Sequence, residues 1–356
     1  MNPVSKIKVL IVDDSAIVRK LLSEALSAEP DIEVVGVAPD PYVAREKILR
    51  LNPDVLTLDI EMPRMDGLTF LKKVMQYRPM PVIVISSLGQ ASSRAALEAL
   101  QVGAVEVLAK PGGPYSVGDL KDDLPRKIRA AAGARLGALK PVAPAASSRP
   151  ALPPAPVPSV RRSDSLILIG ASTGGTEAIR EVLCALPADC PPIVIVQHIP
   201  AVFSRAFADR LDSICSLRVR EASENDVVEA GLALIAPGNY HMRLRRAVDH
   251  HRVTLDDGPR VCYQRPAVNV LFESAEPYAG PNVTAVLLTG MGSDGAQGML
   301  RLKRAGAHTI AQDEASCVVF GMPREAIRLG AVDQVLPLPR IAAAILACCG
   351  GRRSAA

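Results

Sequence analysis

Asp13 and Asp14 follow the apolar run KVLIV, Asp59 closes DVLTL, Ser86 and Ser87 close PVIVI, and Lys110 with Pro111 follows VEVLA. In an open α/β sheet the functional loops gather beyond the carboxyl ends of the strands, so these three carboxylates, a hydroxyl and an ammonium are expected at one edge. Clustered carboxylates raise one another's pKa unless a cation shares them, and hard oxygen ligands in a small site favour Mg²⁺. Such a set suits transfer of a phosphoryl group onto a carboxylate, with Mg²⁺ and Lys110 neutralising the phosphoryl oxygens. Taken singly, each acid or hydroxyl could merely cap a strand or helix. Five positions at consistent strand ends favour the shared site.

A second set lies in the other half of the chain. The apolar run LILIG reaches Ala171, Ser172, Thr173, Gly174 and Gly175 before a helical pattern opens near Thr176. A serine on a strand-to-helix turn exposes its hydroxyl beside helix amides that can receive negative charge. Residues 170–174 satisfy GxSxG; alternatively, 170–175 reads as a dinucleotide loop, GxGxxG, with serine in place of its middle glycine. The next strand, IVIVQ, ends at His198, which would serve the serine as base. His241, His250, His251 and His308 are competitors, although the paired His250 and His251 precede an expected hairpin and read as solvated. A third apolar strand, TAVLLTG, exits through Gly290, Met291, Gly292, Ser293, Asp294 and Gly295, which puts Asp294 at the same edge to orient an imidazole. Asp294 could equally cap the helix that follows.

The elements that must position these residues are legible from period. In the first half, apolar runs alternate with segments of helical spacing, AIVRKLLSEALSA, VAREKILRL, LTFLKKVMQ, RAALEALQ and DLPRKIRAAA. Five such units predict a parallel sheet covered on both faces, because parallel strands need crossovers and wholly buried strands are continuously apolar. The second half repeats the style with LILIG, PIVIVQ, ALIAP and TAVLLTG, and RVTLDDGPRVCY reads as a hairpin across Asp257 and Gly258. Between them, Pro141 to Pro158 holds seven prolines among alanines and serines, the composition of an extended spacer. Both halves are therefore α/β.

Composition excludes some functions. The net charge of +4 resides between residues 113 and 163, which carry nine basic and three acidic side chains; each flanking half is close to neutral. With aromatics at 3%, neither half has the basic surface or stacking residues of a nucleic-acid-binding domain, so no nucleic-acid partner is expected. No apolar run reaches the roughly 18 residues of a membrane helix, and acidic residues come too early in the N-terminal stretch for a secretory signal, so a cytoplasmic protein without membrane insertion is expected. The seven cysteines are odd in number and form no CxxC pair, which reads as reduced, mostly buried thiols. A second half that merely binds a nucleotide through its glycine loop is the competing class, and a transcription regulator is disfavoured by the lack of a basic helical reading motif.

The first half strongly resembles the response-regulator receiver family over residues 5 to about 130. That resemblance implies that Asp59 is the phosphoacceptor and that Asp13, Asp14, Asp59 and the backbone carbonyl of Glu61 hold Mg²⁺. It further implies that Ser86 and Lys110 support the phosphoryl group and that Pro111 follows a cis bond. GASTGG, QHIP, RPAVNVLF and GMGSDGA, in that order after a receiver and a linker, resemble the chemotaxis protein-glutamate methylesterase/glutaminase (CheB-like) family across essentially the whole chain. The implied organisation is a flavodoxin-like doubly wound receiver over residues 1–130, an Ala/Pro-rich linker over 131–163, and a Rossmann-like α/β catalytic domain with a parallel sheet and a β-hairpin over 164–356. The implied roles are Ser172 as nucleophile, His198 as general base, Asp294 as its orienter, the Met291 amide as oxyanion donor and Thr173 as support. The implied reactions are hydrolysis of glutamyl methyl esters, releasing methanol, and deamidation of glutamines on methyl-accepting chemoreceptors. A chemotaxis histidine kinase (CheA-like) would be the phosphodonor, no cofactor would serve the esterase step, and the chain would act as a monomer.

Overall fold

The computed structural model describes residues 6–87, 89–111, 117–138, 165–248 and 250–349; the proline-rich spacer lies outside them. The chain divides into two compact units. The first runs β1 (Ile7–Val12), α1 (Ala16–Ser27), β2 (Ile32–Ala38), α2 (Pro41–Leu51), β3 (Val55–Asp59), α3 (Gly67–Tyr77), β4 (Val82–Ser86), α4 (Gln90–Val102), β5 (Glu106–Ala109) and α5 (Val117–Ala132). Its five strands lie parallel in the order β2-β1-β3-β4-β5. The apolar runs are the buried strands, and polar residues start the helices: the Ser15, Asp40 and Asp66 side chains accept backbone N–H bonds at the starts of α1, α2 and α3. The order reverses between β1 and β3, so a crevice opens where Asp13 and Asp59 leave the sheet.

After the spacer the chain continues with β6 (Leu166–Ala171), α6 (Gly175–Cys184), β7 (Ile193–Gln197), α7 (Ala201–Ile214), β8 (Arg218–Glu221), β9 (Val227–Val228), β10 (Leu232–Ile235), β11 (His241–Arg246) and β12 (His251–Asp256). It closes with α8 (Val268–Ala275), β13 (Val283–Leu287), α9 (Ala296–Arg304), β14 (His308–Gln312), α10 (Met322–Arg328), β15 (Gln334–Leu336) and α11 (Leu338–Cys349). Seven parallel strands form one sheet in the order β15-β14-β13-β6-β7-β10-β8, and β11-β12-β9 form a small antiparallel sheet. Here the switch point is β6, flanked by β7 on one side and β13 on the other. Its carboxyl end carries Ser172, and its two neighbours deliver His198 and the 289–294 loop to the same crevice.

Three expectations are corrected. The hairpin joins β11 to β12 beyond the Arg246–His251 pair, not across Asp257 and Gly258. Alternate residues Met242, Leu244 and Val253 are buried, so core packing sets the register, while Gly258 N donates to Asp256 Oδ1 in a turn that merely ends β12. His250 and His251 consequently sit at that apex half-buried rather than solvated, and the His251 ring stands edge-on to Tyr278 at 5.1 Å. The cis peptide among the described residues precedes Pro266 rather than Pro111.

Candidate active site and phosphorylation site

In the first unit, one oxygen from each of Asp13, Asp14 and Asp59 falls within 4.8 Å of the others. Asp13 and Asp59 are buried at the strand ends, and the Lys110 ammonium lies 3.0 Å from Asp13 Oδ2 and 2.7 Å from Asp59 Oδ2. Burial pushes Asp59 up to about 6 against the pull of Lys110, with the Asp13 charge adding to the rise. Burial raises Asp13 as well. Lys110 is drawn down by burial, yet its hydrogen bond and charge contact with Asp59, together with the Asp13 charge, leave it above its ordinary value. Two buried acids held above their normal range beside a third are a donor set short of positive charge, which fits a hard divalent cation. The Glu61 amide donates to Asp59 Oδ1 at 3.1 Å. The Glu61 carboxylate is turned elsewhere, accepting from Ser87 Oγ at 2.8 Å and from Ser92 Oγ. That leaves the Glu61 backbone, not its side chain, beside the acids. Ser86 is fully buried and its hydroxyl donates to the Ser92 carbonyl at 3.4 Å.

In the second unit, His198 Nε2 is 2.8 Å from Asp294 Oδ2, and both side chains are buried. The Asp294 carboxylate also accepts three backbone N–H bonds, from Val268 (2.6 Å) on Oδ2 and from Asn269 (2.9 Å) and Gly295 (3.0 Å) on Oδ1. Two of these donors are the first residues of α8, so Asp294 sits as an anion at a helix N-terminus. A carboxylate so held cannot donate, which puts the imidazole proton on Nε2 and leaves Nδ1 as the basic nitrogen. Nδ1 is buried and has no hydrogen-bond partner, Ser172 Oγ included. The structure thus joins His198 to Asp294 directly and brings Ser172 to them through the backbone: His198 N donates to Ala171 O at 3.1 Å, and Ser172 N to Thr289 O at 3.0 Å.

The Ser172 turn is pinned from several sides. Gly174 takes φ +76°, and a Cβ there would meet Val318 at 2.6 Å, so the glycine closes a turn against packed protein. The Ser172 side chain at the middle-glycine position of the loop, where a pyrophosphate would need close backbone approach, disfavours the dinucleotide reading. A Cβ on Gly290 would lie 2.7 Å from Ser172 Cβ, so the exit of β13 packs directly on the serine. The Gly290 carbonyl accepts from Gly321 N and Met322 N, and in a trans peptide the Met291 N–H must then point the opposite way, away from α10. Met291 itself is partly exposed, and Thr173 is buried with its carbonyl accepting from Thr289 Oγ1 at 3.0 Å.

The competing histidines fall away by position. His241 lies on β11, bonded through Nε2 to the Pro259 carbonyl, and His308 opens β14 at the opposite end of the sheet. Sequence reasoning missed Gln197, whose Nε2 donates to Ser172 O (2.9 Å) and His198 O (3.3 Å), tying the serine turn to the histidine. It missed Thr289 and Gln312 as well, the glutamine Oε1 accepting from Thr289 N. A polar amide closing the apolar run IVIV was the available signal for Gln197; nothing local marks the other two. RPAVN, noted only for its resemblance, supplies the Val268 and Asn269 amides.

Fold and site define a two-domain protein, a receiver joined to an α/β unit with a hydrolase-type strand edge. The model of the CheB methylesterase family matches residues 167–345, and that of the response regulator receiver domain matches residues 9–118. The chain is 56% identical to protein-glutamate methylesterase/protein-glutamine glutaminase 2 of Syntrophus aciditrophicus, over 95% of this chain and 98% of that relative. It is 52% identical to the protein of the same name from Rhodospirillum rubrum, over 96% and 98%. The catalytic domain of the Thermotoga maritima CheB methylesterase superposes with a TM-score of 0.51 at 38% identity, covering 52% of this chain and 98% of that one. The chain belongs to the receiver-bearing protein-glutamate methylesterase/protein-glutamine glutaminase family. No helix among the described residues is long and apolar enough to cross a membrane.

Proposed function

We propose that this chain is a phosphorylation-activated hydrolase that demethylates glutamate methyl esters and deamidates glutamines on chemoreceptors, in the cytoplasm, for sensory adaptation. The observation that carries the reading is the buried His198–Asp294 pair beside the Ser172 turn, in a chain of this family. Residues 1–130 act as receiver, 131–163 as linker and 164–356 as catalytic domain.

Ser172 Oγ attacks the ester carbonyl while His198 Nδ1 takes its proton. The Nε2–H stays on Asp294, whose fixed carboxylate stabilises the imidazolium. The Met291 N–H receives the developing oxyanion, and Thr173 with Thr289 holds the turn. His198 then returns the proton to the departing methanol, since methoxide is too basic to leave unprotonated. Water, deprotonated at Nδ1, releases the glutamate from Ser172. With a glutamine substrate the same proton goes to ammonia.

Control begins at Asp59, which accepts a phosphoryl group from a chemotaxis histidine kinase. The Asp13, Asp14 and Asp59 carboxylates and the Glu61 carbonyl would hold Mg²⁺, which would supply positive charge to neutralise the phosphoryl oxygens. Lys110 passes from the two aspartates to a phosphoryl oxygen, and the Ser86 hydroxyl leaves the Ser92 carbonyl to follow it. Phosphorylation adds about −1.5 to −2 charges and biases the chain toward its active state, a coupling of about 1 to 3 kcal/mol, so stimulation is graded. The test is methanol release from radiolabelled, methylated receptor membranes, with and without a small phosphodonor and Mg²⁺. Ser172→Ala abolishes release and Asp59→Asn loses only the stimulation; near-normal turnover by Ser172→Ala would overturn the reading.

A further inference from the structure

Cys184 is the last residue of α6, and Cys215 directly follows α7, its N–H closing that helix on Leu211 O at 2.9 Å. Both thiols are free, Cys184 exposed and Cys215 half-buried, and their sulfurs stand 3.5 Å apart in an S–H···S contact. They are 31 positions apart in the chain, and the segment between them includes β7 and His198. Neither cysteine has a part in the hydrolysis described above. We propose that Cys184 and Cys215 are a redox-modification site: under peroxide they form a reversible disulfide that ties the end of the nucleophile's helix to the end of the helix that follows the base.

The geometry favours this pair over the other thiols. A disulfide needs sulfurs about 2.05 Å apart, so roughly 1.5 Å of closure is required, within reach of side-chain rotation at two helix ends. Cys190, Cys317 and Cys349 are buried, the half-buried Cys348 is hydrogen-bonded to Thr284, and the exposed Cys262 receives its hydrogen bond from Asn269 Nδ2 instead of from a thiol. The roles within the pair differ. Burial, then the neighbouring Cys184 sulfur, pushes the Cys215 thiol up to about 12, so it stays protonated and the exposed Cys184 meets the oxidant. The Cys184 thiolate attacks hydrogen peroxide, breaking its O–O bond and giving a sulfenic acid and hydroxide. Cys215 sulfur then displaces water from that sulfenic acid, its proton leaving with the water. Overall, two thiols are oxidised to one disulfide and one peroxide is reduced to two waters. A dithiol or excess monothiol reverses the reaction by exchange.

The test treats the full-length protein with a few equivalents of hydrogen peroxide, quenches with an alkylating agent, and reads mass and peptide map without reductant. The expected product is monomeric and about 2 Da lighter before alkylation, titrates five thiols where the reduced chain titrates seven, and regains them with dithiothreitol. Trypsin should link the peptide of residues 181–205 to that of residues 211–218. Since the first of these also contains Cys190, Cys190→Ser must retain the link while Cys184→Ser and Cys215→Ser each lose it. The oxidised protein should also melt several degrees higher than the reduced one, because the link constrains the unfolded chain. A peroxide-treated chain that keeps all seven thiols overturns the proposal. So does one that pairs other cysteines first, or that links through Cys184 into dimers.

Discussion

Replacing Asp294 by asparagine probes the orientation of the candidate base. Four donors converge on the two carboxylate oxygens, His198 Nε2 and Val268 N on Oδ2, Asn269 N and Gly295 N on Oδ1. An amide offers one oxygen and one NH₂. With its oxygen kept on Asn269 and Gly295, the NH₂ faces His198 Nε2, which can accept only by moving its proton to Nδ1, and the Val268 N–H is orphaned. The opposite orientation preserves the tautomer but strands two N–H groups, so the first is favoured. An orphaned buried N–H costs about 1 to 3 kcal/mol, and losing the anion at the start of α8 adds about 1 kcal/mol. The total, on the order of 3 kcal/mol, should lower the melting midpoint of the catalytic unit by roughly 6 to 12 °C. With Nδ1 protonated, the Ser172 proton has no acceptor, and turnover should fall about 10³- to 10⁴-fold. Esterase kinetics on methylated receptor membranes and a thermal melt of the same protein give both numbers. Turnover within tenfold of wild type, or an unchanged melt, would refute the orienting role.

Asp59 offers a pH test on the metal-free protein. Its folded pKa is raised to about 6, so the folded state binds a proton that the unfolded state, near 3.8, does not bind between those values. This carboxyl's contribution is therefore fully present below about 3.8 and lost as pH rises through 6, a change on the order of 3 kcal/mol for a group with no exposed surface. The lowered pKa values of Asp31, Asp40 and Asp66 act in the opposite sense. The difference between wild type and Asp59→Asn in urea melts at pH 5 and pH 7.5 isolates the term, with the variant gaining relative stability at the higher pH; a pH-independent difference would contradict it. Gly290→Ala places a methyl 2.7 Å from Ser172 Cβ and 2.4 Å from Met322 Sδ. Displacing the Ser172 hydroxyl should cost at least about 100-fold in turnover with a smaller change in KM, and an alanine variant of near-normal activity would show that the contact is not positional.

The strand ends were legible without any coordinates. Continuous apolar runs mark buried parallel strands, and the right-handed crossovers of such sheets put every carboxyl end at one edge, so Asp13, Asp59 and Lys110 had to meet, as did the edge bearing Ser172, His198 and Asp294. The hairpin shows where local pattern misleads. Asp257 and Gly258 have the chemistry of a turn, but the register of β11 on β12 follows from which side chains reach the core, a nonlocal condition. Packing between distant segments likewise decided which imidazole nitrogen meets Asp294, because the amides that hold that carboxylate come from α8, 25 and 26 residues away. Gln197, Thr289 and Gln312 act through single long-range hydrogen bonds that leave no period or spacing in the chain. The Cys184–Cys215 contact belongs with them, since two helices end side by side only after β6 and β7 have paired. Period and strand-end chemistry therefore specify which elements form and which edge is functional. Orientation within that edge, a matter of which donor reaches which oxygen, exists only once the elements are packed.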